Sequence, residues 1–102
     1  DDMLKNKEID INPILSKGYD RFEEVKAEQL KLRYAYQIIR ALHYTKRYDD
    51  AIDFFESRIE NQFEKTEIYY YVLDQVAGCY YSTGDYQQAA YLFFNVFDKR
   101  RF

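Results

Sequence analysis

From Asp20 to Tyr44 the chain runs without Pro or Gly, and Ala35, Ile38, Ile39 and Leu42 recur at the three-and-four spacing of one buried helical face. That spacing predicts a core helix in the second half of the stretch. Phe22, Val25 and Leu30 keep the phase less well, so the stretch reads as one helix or two nearly continuous ones, entered at Asp20 with Glu23 in the manner of a capping box. Thr45, Lys46 and Arg47 interrupt the stripe before Ala51, Ile52, Phe54, Phe55 and Ile59 start another, which predicts a tight helical hairpin. A polar link from Glu60 to Thr66 follows, with Thr66 placed to cap the next helix. Leu73, Val76, Ala77 and Tyr80 carry the third stripe. Ser82-Thr83-Gly84-Asp85 then reads as a turn, with Gly84 suited to the left-handed conformation and Asp85, supported by Gln88, to the next N-cap. Residues 86–98 complete four main helices. The β-prone run Tyr69-Tyr70-Tyr71-Val72 sits inside a helical period and gives no competing strand.

Residues 1–19 are polar by comparison. Asn12-Pro13 is a helix start and Gly18 a plausible stop, so this segment reads as an N-terminal arm with one short helical turn over Pro13–Lys17. The remainder, 20–102, reads as one all-α domain with hairpins at about 32–62 and 67–98.

At 102 residues the chain holds one modest core. A hydrophobic fraction of 47% with 1 Pro and 3 Gly excludes disordered and collagen-like classes. No apolar run is long enough to span a bilayer, so membrane insertion is not expected. The chain does not open on Met, which implies a removed segment or a place inside a longer protein, and leaves the compartment open between cytoplasm and a bacterial periplasm or envelope. A net charge of −3 argues against nucleic acid as a partner. One Cys excludes an internal disulfide. The 12 Tyr and 8 Phe are the unusual feature: such residues build tight helix packing or a binding surface.

The two hairpins match at one fixed offset of 38 residues. Tyr48, Ala51 and Phe55 correspond to Tyr86, Ala89 and Phe93, and Ile38 and Leu42 correspond to Val76 and Tyr80. In Leu73, Val76-Ala77, Tyr80, Gly84-Asp85-Tyr86, Ala89 and Phe93 the second hairpin resembles the tetratricopeptide repeat, a helix-turn-helix unit of about 34 residues. The first hairpin follows it through Ala35, Ile38, Ile39, Leu42, Tyr48, Ala51 and Phe55, so the resemblance covers about residues 32–102. Small Ala77 and Ala89 then let paired helices approach. More loosely, the stretch from Leu32-Arg33-Tyr34 to Lys99-Arg100-Arg101 resembles repeats of large bacterial envelope proteins.

Catalytic chemistry finds no footing. His43 has no second His, Cys79 has no ligand partner at metal-binding spacing, and the three glycines are isolated. Asp49, Asp50, Asp53 and Glu56 lie in the first turns of a helix, where the dipole favours carboxylates, and Lys99-Arg100-Arg101 lie at a helix end that favours cations. We therefore expect no enzyme activity, no metal and no cofactor.

What the resemblance implies is a right-handed α-solenoid whose concave face, lined by the first helix of each unit, binds a peptide or protein segment. It assigns to that groove Arg33, Tyr36, Arg40, His43 and Tyr44 from the first unit, and Tyr71, Asp74, Gly78, Tyr81 and Ser82 from the second. Tyr rings would give amphipathic contact, Arg would capture a carboxylate, and Gly78 would leave room for a ligand backbone. The alternative is a structural segment of a longer solenoid or assembly scaffold with no ligand of its own. Tyr91, Leu92, Phe93, Phe94, Val96 and Phe97 surround most of the last helix. Phe93 is expected inside its hairpin, and the others are expected to be covered by further chain, by the N-terminal arm or by a second copy.

Overall fold

The computed structural model describes residues 10–100; residues 1–9 of the N-terminal arm, Arg101 and Phe102 lie outside the described residues. Among the described residues five helices follow one another: α1 (Asn12–Glu24), α2 (Glu28–Tyr44), α3 (Tyr48–Phe54, continued by a π-helical turn over Phe55–Ile59), α4 (Glu67–Ser82) and α5 (Tyr86–Arg100). No strand occurs among the described residues. The Cα radius of gyration, 13.5 Å, is that of a compact domain.

The N-terminal arm is more structured than its composition suggests. Instead of one turn ending at Gly18, α1 runs for 13 residues straight through that glycine. Gly18 lies where α1 crosses α2: an added Cβ would meet Ile38 Cγ1 at 3.2 Å, so the glycine sets the distance between the helices and does not end one. Pro13 lies in the first turn, but the N-cap is Ile11. The Asn12 amide donates to Asp10 Oδ1 at 3.0 Å, while Asn12 Oδ1 accepts from Arg47 Nη1 at 2.8 Å, tying α1 to the α2–α3 turn. Asp20 and Glu23, read as a capping box, sit inside α1, and Glu23 accepts a hydrogen bond from Arg58 instead.

The continuous stretch from Asp20 to Tyr44 is divided, with Val25 and Ala27 both extended between α1 and α2. No Gly or Pro marks the break. It folds α1 back on α2 and brings Ile11, Leu15 and Phe22 into the core, where Phe22 meets Phe54 edge-on at 5.3 Å. Lys31 Nζ lies 4.5 Å above the Phe22 ring and donates to the Phe22 carbonyl at 2.5 Å, satisfying one of the last carbonyls of α1.

The stripes read from the sequence form the core, except that Ile52 is only half-buried at its edge. Ala35, Ile38, Ile39 and Leu42 of α2, Ala51, Phe54, Phe55 and Ile59 of α3, and Leu73, Val76, Ala77 and Tyr80 of α4 are all buried. Burying each large side chain is worth about 1.5–3 kcal/mol, which a small domain without a disulfide needs. Thr66 occupies the N-cap of α4, yet its hydroxyl donates to Gln29 Oε1 at 3.0 Å and not to the helix. Asp85 does cap α5, accepting the Gln88 amide at 3.2 Å.

The 38-residue offset recurs in backbone geometry at the α2–α3 and α4–α5 turns. Lys46 and Gly84 both take positive φ, 64° and 91°. The Thr45 amide donates to Ala41 O and the Thr83 amide to Cys79 O, each at 3.1 Å, and Arg47 N–Leu42 O at 2.8 Å is matched by Asp85 N–Tyr80 O at 3.0 Å. The rings follow suit: His43 meets Tyr48 edge-on at 5.8 Å, and Tyr81 meets Tyr86 edge-on at 5.1 Å.

The units differ after the turn. In α3 the Glu60 amide reaches Phe55 O at 2.8 Å, closing the π turn, and Ser57 Oγ bonds back to Asp53 O at 2.7 Å, which loosens the α-helical ladder there. On α5 it is Ala89, Leu92 and Val96 that enter the core. Phe93, expected inside the hairpin, is exposed with Tyr91, Phe94 and Phe97, because Leu92 and Val96 already fill the space against α4.

Candidate functional site

The α2–α4 packing leaves a shallow face on which both helices present side chains at one-turn intervals. Two depressions of about 370 Å³ each lie along it. The first is lined by Arg33, Tyr36 and Gln37 of α2 and by Glu67, Ile68 and Tyr71 of α4. Tyr36 and Tyr71 form its floor, with ring centroids 6.3 Å apart, and Tyr71 Oη donates to Glu67 Oε2 at 3.3 Å. The second is lined by Arg40, His43, Tyr44, Lys46 and Tyr48 with Gln75 of α4. It holds two cationic side chains and no carboxylate. The Arg40 guanidinium lies 5.1 Å above the Tyr44 ring, which orients it without neutralising it.

Six of the residues assigned to the groove from sequence are thus brought together in two groups of three: Arg33, Tyr36 and Tyr71 in one depression, Arg40, His43 and Tyr44 in the other. Asp74, Gly78, Tyr81 and Ser82 line neither. Asp74, Tyr81 and Ser82 are exposed on α4. Gly78 does not leave room for a ligand, since the His43 imidazole occupies that space: an added Cβ would lie 2.6 Å from His43 Cε1. His43 is held there by its Nδ1, which donates to Gln75 Oε1 at 2.9 Å, and by the Tyr48 ring. Gln37, Lys46, Tyr48, Glu67, Ile68 and Gln75 were not assigned to the groove from sequence. Glu67 and Ile68 precede Tyr71 by one helical turn, a relation the period alone supplies.

Away from this face, several ionisable groups serve packing. Burial pushes the Cys79 thiol up to about 12, which leaves it protonated and unreactive at neutral pH. Tyr80 is raised from its ordinary value first by burial and then by Glu56, whose Oε2 accepts the Tyr80 hydroxyl at 2.5 Å. Glu56 is therefore engaged with α4, whereas Asp50 pairs with Arg47 at 3.0 Å and Asp49 and Asp53 face solvent. No cluster of three or more His, Cys, Asp or Glu suited to a metal ion occurs among the described residues. None of the described helices is long and apolar enough to cross a membrane.

No protein-family model matches this chain, and neither a curated protein nor a solved structure shows significant similarity to it.

Proposed function

We propose that the chain is a protein-interaction module of the tetratricopeptide-like kind, binding a peptide or protein segment along the α2–α4 face. The observation that carries this reading is the pair of depressions, one floored by Tyr36 and Tyr71 and one edged by Arg40 and Lys46 with no carboxylate in its lining. Arg33 and Arg40 stand about two helical turns apart, roughly 10 Å, the span of about three residues of extended chain. A segment with an aromatic or aliphatic residue and a carboxylate three positions apart fits both. Chemically, the ring pair offers amphipathic contact and Arg40 offers a bidentate donor.

Selection of displayed random peptides on the intact chain tests the reading. It should enrich an apolar residue spaced from an acidic one, and Arg40→Ala should weaken the selected peptide about tenfold or more, the worth of a hydrogen bond to a charged group. Selected peptides that bind Arg40→Ala and Tyr71→Ala as well as the parent would defeat it.

A second reading is supported by one specific observation. Tyr91, Phe94 and Phe97 project from α5 into solvent, as they would on a segment of a longer helical array with no ligand of its own.

A further inference from the structure

The backbones of the two hairpins part company at one place. The π-helical turn over Phe55–Ile59 corresponds, at the 38-residue offset, to regular helix at 93–97 of α5, and Asn61, with φ 64°, corresponds to Lys99 inside that helix. Glu60 and Asn61 thus leave α3 on a path that the repeat does not require. Asn tolerates the left-handed conformation better than most residues, and π turns concentrate at functional sites. What this departure borders is a cavity of about 210 Å³ between the end of α3, the start of α4 and the second half of α5.

The floor of the cavity is apolar and aromatic. Phe55, Leu73 and Leu92 are buried, as are Tyr69 and Tyr70, whose rings meet edge-on at 5.8 Å. Its charged groups are Glu60, Lys65 and Lys99, with Asn61 and Asn95 beside them. Because α4 and α5 form an antiparallel hairpin, the start of α4 lies beside the end of α5, so the charges gather at one end of the cavity and Leu73 and Leu92 lie toward the other. Glu60 is close enough to act on Tyr69, whose ionisation is pushed up first by burial and then by that carboxylate, with the Asn61 amide opposing. Among the described residues the ion pairs are Arg47 with Asp50 and Arg58 with Glu23. Two cations and one anion therefore line a single cavity without pairing with one another.

We propose that this cavity binds a free α-amino acid with a large apolar side chain. The lysines take its carboxylate, Glu60 takes its ammonium, and the side chain lies on the floor toward Leu73 and Leu92. A carboxylate alone would leave Glu60 beside an anion, and an amine alone would leave both lysines beside a cation; a zwitterion answers all three charges. The volume is that of about seven waters and falls below the roughly 300 Å³ at which drug-sized pockets begin, which suits so small a ligand. No residue of this site lines the α2–α4 face, so the two proposals are independent.

The test is titration of the intact 102-residue protein with phenylalanine, phenylpropionate and phenylethylamine, read by calorimetry and by amide chemical shifts. Phenylalanine should bind with a dissociation constant of about 1 mM or tighter and perturb the amides around Tyr69, Leu73 and Asn95. Each analogue lacks one charged group and should bind about tenfold more weakly. Glu60→Gln should make phenylalanine and phenylpropionate equal, and Lys65→Gln combined with Lys99→Gln should do the same for phenylalanine and phenylethylamine. Both lysines are exposed and Glu60→Gln keeps the side chain's shape, so these variants should keep their helical circular dichroism. No binding of phenylalanine, phenylpropionate binding as tightly as phenylalanine, or affinities unchanged in the variants overturns the proposal. So do shifts confined to the α2–α4 face, which would put the ligand there and leave the reading of that face standing.

Discussion

The imidazole of His43 lies directly on Gly78, held by Gln75 at 2.9 Å, and closes what would otherwise be an opening between α2 and α4. The glycine's absence of a side chain is used by the fold itself. Gly78→Ala would gain about 1 kcal/mol in helix propensity but force the ring off Gln75, and overpacking of this sort costs about 1–3 kcal/mol. We expect a net destabilisation of about 1 kcal/mol in chemical denaturation. In a His43→Ala background the sign should reverse, with Gly78→Ala stabilising. Stabilisation in both backgrounds would show that the ring moves freely.

The α2–α3 and α4–α5 turns supply a paired test. Lys46 and Gly84 share the left-handed conformation, which costs a residue with a Cβ roughly 1–2 kcal/mol. Gly84→Ala should therefore lower stability by about 1 kcal/mol, although an added Cβ meets nothing within 4 Å. Lys46→Gly should move stability upward by up to about 1 kcal/mol. Thermal unfolding of both variants checks the opposite signs; shifts in one direction would mean the turns are not equivalent.

Ala77 and Ala89, 0% and 1% exposed, occupy the close contacts between helices. Replacing either by Leu should overpack the core and cost about 1–3 kcal/mol, read as a lowered unfolding midpoint. Unchanged midpoints would remove the role assigned to these small residues.

Stability should fall at alkaline pH. Cys79, Tyr80, Tyr69 and Tyr19 are all raised above their ordinary values, chiefly by burial. Each neutral form is favoured in the native state, so above about pH 9 the unfolded chain releases protons first and stability declines as pH climbs. Below that the contribution is fully present. Denaturant midpoints should be level near neutrality and drop progressively above about pH 9, with a shallower drop for Cys79→Ala. A midpoint constant to pH 11 would contradict the burial of these groups.

Much of the helical core was legible because helical periodicity is local: Ala35, Ile38, Ile39 and Leu42, and later Leu73, Val76 and Ala77, declare their face within a few turns. The turn at Gly84 was legible for the same reason. What escaped depends on contacts distant in sequence. The break after Glu24 places Phe22 against Phe54, and Gly18 answers to Ile38; nothing within the local stretch records either need. The α2–α4 face was half legible. Tyr36, Tyr71 and Arg40 were assigned to it through the tetratricopeptide resemblance, but the filling of Gly78 by His43 depends on how two helices sit on each other.

The most direct test of the proposed function is a backbone amide chemical-shift map of the ¹⁵N-labelled protein titrated with the peptide selected on it. Perturbations should cluster along α2 and α4 around Arg33, Tyr36, Arg40 and Tyr71, and should vanish at the same peptide concentration in Arg40→Ala. Perturbations confined to α1 or α5, with the α2–α4 face silent, would contradict the proposed function.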